Sequence, residues 1–187
     1  MPPKAKITRD MIIDTAFEIA RSEGAENINA RAVSKKLGCS TQPVMYHFKT
    51  IEELKKTVYV KADEFHSACI TDIQGHSRMK GIGLQYIRFG AEEKNLFRFL
   101  FQTNEFSGKS VSDLTSAEEA EPIFAAIAKT RDIPIEQART IFKSLFLFAH
   151  GYASMFANNE MEYDEEAILS DLDLIFEGAL YALKGGL

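Results

Sequence analysis

Tryptophan is absent from the 187 residues, cysteine occurs twice and proline five times. Two thiols, Cys39 and Cys69, cannot build the disulfide framework of a small secreted scaffold, so a reducing, cytoplasmic setting is expected. No apolar run approaches the roughly 18 residues needed to span a bilayer, and no membrane partner is expected. The opening Met1-Pro2-Pro3-Lys4-Ala5-Lys6 lacks the apolar stretch and cleavage site of a secretory leader. Alternation of apolar and polar residues is nowhere sustained, and no Asn-Gly or Asp-Gly pair separates two β-branched runs, which argues against hairpins. Catalytic signatures are missing too: there is no His-Glu-x-x-His helix, no nucleophile elbow and no phosphate-cradling glycine loop. His66 and Cys69 share a helical face, but no acidic or thiol cluster completes a metal set. The expectation is a chain without enzymatic activity, metal or cofactor.

What the sequence has is apolar residues at helical spacing, almost throughout. Hydrophobic residues make up 45% and charged residues 26%, with 14 Phe and 6 Tyr to build a core. This composition belongs to an ordered globular chain. The net charge of −5 hides an asymmetry: residues 1–62 carry 11 Lys and Arg against 7 Asp and Glu, and residues 63–187 carry 11 against 20. A basic end on an acidic body points to a polyanionic partner.

The spacing predicts a first helix over about Thr8–Glu23, stopped at Gly24. Asn29 caps a short helix over Ala30–Leu37, Gly38 ends it, and Ser40 caps a second short helix over about Thr41–Phe48. Thr50 and Glu53 form a capping box that opens a long helix over about 51–73. Further helices are expected over 79–89 (capped by Ser77), 92–101, 117–129 (opened by Ser116 and Glu119), 134–157 and 165–183. Residues 102–116 read as a long polar loop.

Residues 29–48 have the spacing of a helix-turn-helix. Gly38 supplies the left-handed backbone of a tight turn, and Cys39 is small enough for the seam. Val33, Leu37, Val44 and Phe48 supply the shared core. Thr41, Gln42, Pro43 and Tyr46 then face outward, among Lys35, Lys36, His47, Lys49, Lys55 and Lys56. A helix of this width fits the major groove of double-stranded DNA.

Over residues 8–60 the chain resembles the N-terminal domain of the TetR/AcrR family of transcriptional repressors. The matching residues are Ile12-x-x-Thr15-Ala16-x-x-x-Ile19-Ala20, Gly24, Ala32-Val33-Ser34-x-x-x-Gly38-Cys39-Ser40, Val44-Met45-Tyr46-His47-Phe48-Lys49 and Glu52-Glu53-Leu54. It departs at Met45, where the family usually has Tyr, and at Ile51, where it usually has Lys. The resemblance implies an all-α fold: a three-helix DNA-binding domain with a helix-turn-helix over residues 1–50, then a helical ligand-binding and dimerisation domain over 51–187. It implies an operator-binding repressor released by a small-molecule effector. Its DNA-contacting residues would be Arg31, Ser40, Thr41, Gln42, Tyr46, His47 and Lys49. Arg31 suits the O6 and N7 of guanine, Gln42 suits adenine, and Lys49, past the helix end, suits phosphate.

Aromatic surplus in the later helices suggests a hydrophobic or aromatic effector, held among Phe65, Phe89, Phe97, Phe101 and His150, with Arg88, Tyr86, Glu105 or His150 as the polar anchor. Phe97, Phe99 and Phe101 cannot all face one side of a helix, so some are expected to meet a cavity, a loop or a partner. The last two long helices are apolar around too much of their circumference for a chain this small. A homodimer interface at Phe148, Tyr152, Leu172, Ile175 and Ala179 accounts for this, and the family commonly pairs these helices as a four-helix bundle. The alternative reading is a dimeric helical adaptor that binds ligand without DNA.

Overall fold

The computed structural model describes the backbone of residues 7–71, 78–103 and 120–185. Among these residues there are nine α-helices and no strands: α1 (Arg9–Glu23), α2 (Ala30–Lys36), α3 (Gln42–His47), α4 (Ile51–Thr71), α5 (Arg78–Glu92), α6 (Lys94–Phe101), α7 (Glu121–Arg131), α8 (Ile135–Asn158) and α9 (Glu165–Leu183). A single 3₁₀ turn, Ala25–Asn27, follows α1. Ser77, Glu105, Ser116, Glu119, and the expected loop from residue 104 onward lie outside the described residues.

The helix ends follow from local chemistry. Thr8 Oγ1 accepts a hydrogen bond from Met11 N at 3.2 Å, and Asn29 Oδ1 accepts one from Ala32 N at 2.9 Å. Each satisfies an amide that the first turn leaves without a partner. At α4 the Thr50 half of the capping box forms, with Glu53 N donating to Thr50 Oγ1 at 3.1 Å, while the Glu53 carboxylate accepts from Lys49 N, one residue ahead of Thr50, at 2.9 Å. Asp164 caps α9 through Ala167 N at 3.1 Å. One expected cap is not made. The residue ahead of α3 is Thr41, and no side chain caps this helix. Ser40 is exposed and stands one residue ahead of the cap position, and Pro43 removes one of the first-turn amides that a cap would satisfy.

Two compact units result. The first comprises residues 1–68 and 93–103, the second 69–92 and 104–187. The long helix α4 runs out of the first unit, and α6, distant in sequence, packs in that unit against α1. The first unit's core contains Ile12, Ala16 and Ile19 of α1, Val33 of α2, Val44 of α3, Phe48, Leu54 and Val58 of α4, and Leu96, Phe97 and Leu100 of α6. Polar ties fasten α6. The guanidinium of Arg21 pairs with both carboxylate oxygens of Glu93, Asn95 Nδ2 donates to the Arg21 carbonyl at 2.9 Å, and the Tyr59 hydroxyl donates to the Leu100 carbonyl at 3.1 Å.

The Phe-rich stretch finds its partners in the same unit. Phe97 and Phe101, four apart, share a face with ring centres 5.1 Å apart, and Phe99 turns to Tyr59 at 5.5 Å. Phe99 is half-buried there, with a half-buried tyrosine of α4 beside it.

In the second unit α8 packs on α5, α7 and α9. Its core gathers Phe124, Ile127, Ala138, Ile141 and Leu180. Ion pairs clasp its surface: Arg88 to Glu165, Arg131 to Glu177, Arg139 to Glu121 and Lys80 to Asp173.

Candidate nucleic-acid interface

The helix-turn-helix is built from the turn outward. Gly38 has φ +63°, which an L side chain rarely adopts, and its amide donates to the Lys35 carbonyl at 3.2 Å. The Cys39 amide reaches back to the Ser34 carbonyl at 3.0 Å. Together these bonds close α2 in a Schellman motif, so the chain reverses within three residues. Val33, Val44 and Phe48 are fully buried and lock α2 and α3 onto α1; Leu37 is only half-buried.

That packing decides which side chains remain outside. Arg31, Ser40, Thr41, Gln42 and Lys49 are exposed, and Tyr46 is the most open of the large hydrophobic side chains among the described residues, at 83%. Met45, where the family pattern has Tyr, is also exposed. His47 differs from the rest. It is half-buried, and its Nε2 lies 3.2 Å from the Ile7 carbonyl oxygen. A carbonyl only accepts, so this nitrogen is protonated and donates. No spacing rule announces a bond across 40 residues.

Several cations on this face have no internal compensation, although Lys36 pairs with Glu23. Among the described residues Arg9, Arg31, Lys35 and Lys49 have no carboxylate partner, whereas Arg88, Arg131 and Arg139 of the second unit are all paired. Cations left uncompensated around an exposed short helix form a surface to which phosphate oxygens can bind.

The expected effector residues fall in both units. In the first unit, Phe65 is half-buried, edge-on to Phe17 at 5.6 Å, with the Arg21 guanidinium 5.1 Å above its ring. Phe97 and Phe101 belong there too, and the His66 ring packs 5.0 Å from Phe101. In the second unit Phe89 is buried, and the Tyr86 hydroxyl lies 2.9 Å from His150 Nδ1. Burial lowers the His150 pKa and raises that of Tyr86, so the imidazole is neutral and the phenol donates to it. Phe146 flanks both rings, at 5.8 Å from each.

Of the residues expected at a subunit interface, Phe148, Tyr152, Ile175 and Ala179 are half-buried in the single chain. The Tyr152 hydroxyl donates to Asp171 at 2.5 Å. Leu172 is a correction: it is 2% exposed and packs where a side chain on Gly83 would stand, so it is a core residue of its own protomer. The open apolar positions on these helices are instead Leu147 and Met155 of α8 and Leu174 and Tyr181 of α9. Each pair flanks an exposed glycine, Gly151 or Gly178, at helical spacing.

Among the described residues no three His, Cys, Asp or Glu side chains gather as a metal site, and no helix is long and apolar enough to cross a membrane. The class that the fold and surface define is an all-helical chain with a helix-turn-helix head. The comparisons with known proteins agree with that class. No family model matches the chain. It is 23% identical over 176 residues to a Bacillus subtilis protein named as an uncharacterized HTH-type transcriptional regulator, YobS, a match covering 91% of this chain and 90% of that one. It shares its fold with a transcriptional regulator of Rhodococcus sp. Rha1 of known crystal structure: the TM-score is 0.56 at 16% identity, over 92% of this chain and 97% of the other.

Proposed function

We infer that this chain is a cytoplasmic DNA-binding transcriptional regulator of the TetR/AcrR type, acting as a homodimer. The single observation that carries this reading is α3. Its outward residues are exposed, and Arg31, Lys35 and Lys49 near it have no carboxylate partner among the described residues, whereas Lys36 pairs with Glu23. A helix about 10–12 Å across fits a major groove about 12 Å wide. Two copies related by a two-fold axis would present two such helices to successive grooves. The relative named as an HTH-type regulator, alike over nearly its whole length, supports the same reading.

Repression relieved by a small hydrophobic or aromatic effector completes the proposal. The Tyr86–His150 pair, with Phe146 beside it, offers one polar anchor in an apolar setting. An effector there acts on DNA affinity only if it favours one arrangement of the paired heads over the other. Bound effector and bound operator would then compete.

Fluorescence anisotropy on the DNA upstream of the protein's own coding sequence tests the reading, with a scrambled duplex beside it. Nanomolar binding to the first and much weaker binding to the second is the expected result. Lys49→Ala should weaken both alike and lower the salt slope by about one. Arg31→Ala should cost about 1–3 kcal/mol on the upstream duplex alone, as loss of a base contact does. A folded protein that binds neither duplex, even at low salt, would leave the ligand-binding adaptor as the better account.

A further inference from the structure

We propose that Met45 is a base-reading residue of α3, packing its side chain on the C5-methyl group of a thymine in the major groove, beside the base met by Gln42. The proposal rests on the DNA-binding reading above and names a contact that reading did not include. The face that α3 turns outward follows from its buried side. Val44 and Phe48, four apart, are fully buried. Thr41, Gln42, Met45 and Tyr46 are all exposed, and the Met45 amide donates to the Thr41 carbonyl at 3.1 Å. Residues three and four apart are neighbours on a helix surface, so Met45 stands one turn beyond Thr41 and Gln42 and beside both.

Met45 is 44% exposed, and a lone exposed methionine elsewhere on a surface needs no explanation. Here the surroundings select a role. Thr41 and Gln42 can exchange hydrogen bonds with base edges, whereas a thioether side chain offers them mainly apolar surface. The other exposed apolar side chain of α3, Tyr46, packs its ring edge-on to His47, with centres 5.2 Å apart. Met45 is therefore the apolar group beside Gln42. In the major groove only thymine presents a methyl group, and the base pair whose adenine N6 and N7 suit a glutamine carries that methyl on its other strand. An unbranched side chain with three rotatable bonds and a polarisable sulfur adapts to such a group without strain. One helical turn advances about 5.4 Å against about 3.4 Å per base pair, so the methyl met by Met45 belongs to the pair that Gln42 reads or to a close neighbour of it. Burying one methyl is worth about fourfold in affinity. No charge takes part, so the contact adds sequence preference without adding salt dependence.

The test is a series of anisotropy titrations on the upstream duplex in which each thymine in turn is replaced by deoxyuridine. The replacement removes the C5-methyl and leaves base pairing and phosphate charge unchanged. The intact protein should bind about fourfold more weakly for each contacted thymine that is replaced. Met45→Ala, checked for an unchanged melting temperature, should bind the all-thymine duplex more weakly by a similar factor. It should no longer distinguish thymine from uracil at the position the intact protein reads, and its slope of log affinity against log salt should equal that of the intact protein. If the intact protein binds the upstream duplex and no deoxyuridine weakens it, the contact is overturned while the DNA reading stands. A Met45→Ala that keeps the full preference for thymine also overturns it, because another residue then meets the methyl. A slope lowered by about one in Met45→Ala would overturn it in favour of a disturbed phosphate contact. An intact protein that binds neither the upstream nor a scrambled duplex removes the DNA reading, and this contact with it.

Discussion

His66 shows how strongly position overrides residue type. From the sequence it pairs with Cys69 as a weak metal candidate; in the fold it is 6% exposed, with its ring against Phe101. Burial holds its pKa down at about 4, against 6.5 in a solvated chain. The folded state therefore refuses a proton that the unfolded chain accepts. Stability is fully present above about pH 6.5 and falls as the pH drops toward 4, at up to about 1.4 kcal/mol per pH unit. Urea midpoints measured at pH 7 and pH 5 should differ more for the intact protein than for His66→Gln, which keeps only the smaller contribution of groups such as His150, whose pKa burial also lowers. An equal drop in both would assign the acid sensitivity to other groups. Such burial is not legible in the sequence, because nothing local to α4 says that Phe101, 35 positions on, will close over the imidazole.

At the scale of elements, most helix boundaries were legible and one crossing was not. Thr8, Asn29 and Thr50 are local signals, read within four residues, and all three caps form. Gly24 and Gly38 stop their helices with positive φ. Ser40 failed because the helix begins one residue later, with Thr41 at the cap position. Leu172 failed because helical periodicity cannot tell an interface stripe from a core stripe. The packing of α5 against α8 depends on a glycine with no local signature. A Cβ on Gly90 would lie 2.6 Å from the Ala153 side chain and 2.7 Å from its backbone, which cannot rotate away. On Gly83 the nearest atoms belong to the flexible Leu172 side chain at 3.2 Å. Gly90→Ala should thus destabilise by about 1–3 kcal/mol or more, although alanine is the better helix former. Gly83→Ala should stay within about 1 kcal/mol of the parent. Thermal melts of both variants check the contrast; equal melting temperatures would mean that the two helices can part without cost.

For the whole molecule, the proposed dimer makes the sharpest demand. Leu174 is 71% exposed and Met155 52% in the single chain, on helices whose open stripes also carry glycine. A second copy seated on these stripes would bury both. Leu174→Glu leaves the protomer's own core untouched, so the protein should still fold. At a subunit contact it would strand a carboxylate away from water at a cost of several kcal/mol, and each 1.4 kcal/mol is about tenfold in affinity. Sedimentation at micromolar concentration should show the intact protein at twice the mass of the variant. A variant that still sediments as a dimer moves the interface elsewhere. The basic-to-acidic division of the chain is legible from charge alone and motivates the proposed polyanionic partner. It could not foretell that α6, from the acidic part, completes the basic unit, since that contact spans more than 70 residues.

The fastening of α6 to α1 also bears on heredity and engineering. Leu96, Phe97 and Leu100 are fully buried, and Glu93 and Asn95 hold Arg21. A gene segment cut after α4 would therefore encode a reader without one wall of its interior, exposing apolar surface where those three side chains belong. The first unit is thus encoded in two separated segments, and a hybrid split after α4 would have to supply a matching α6.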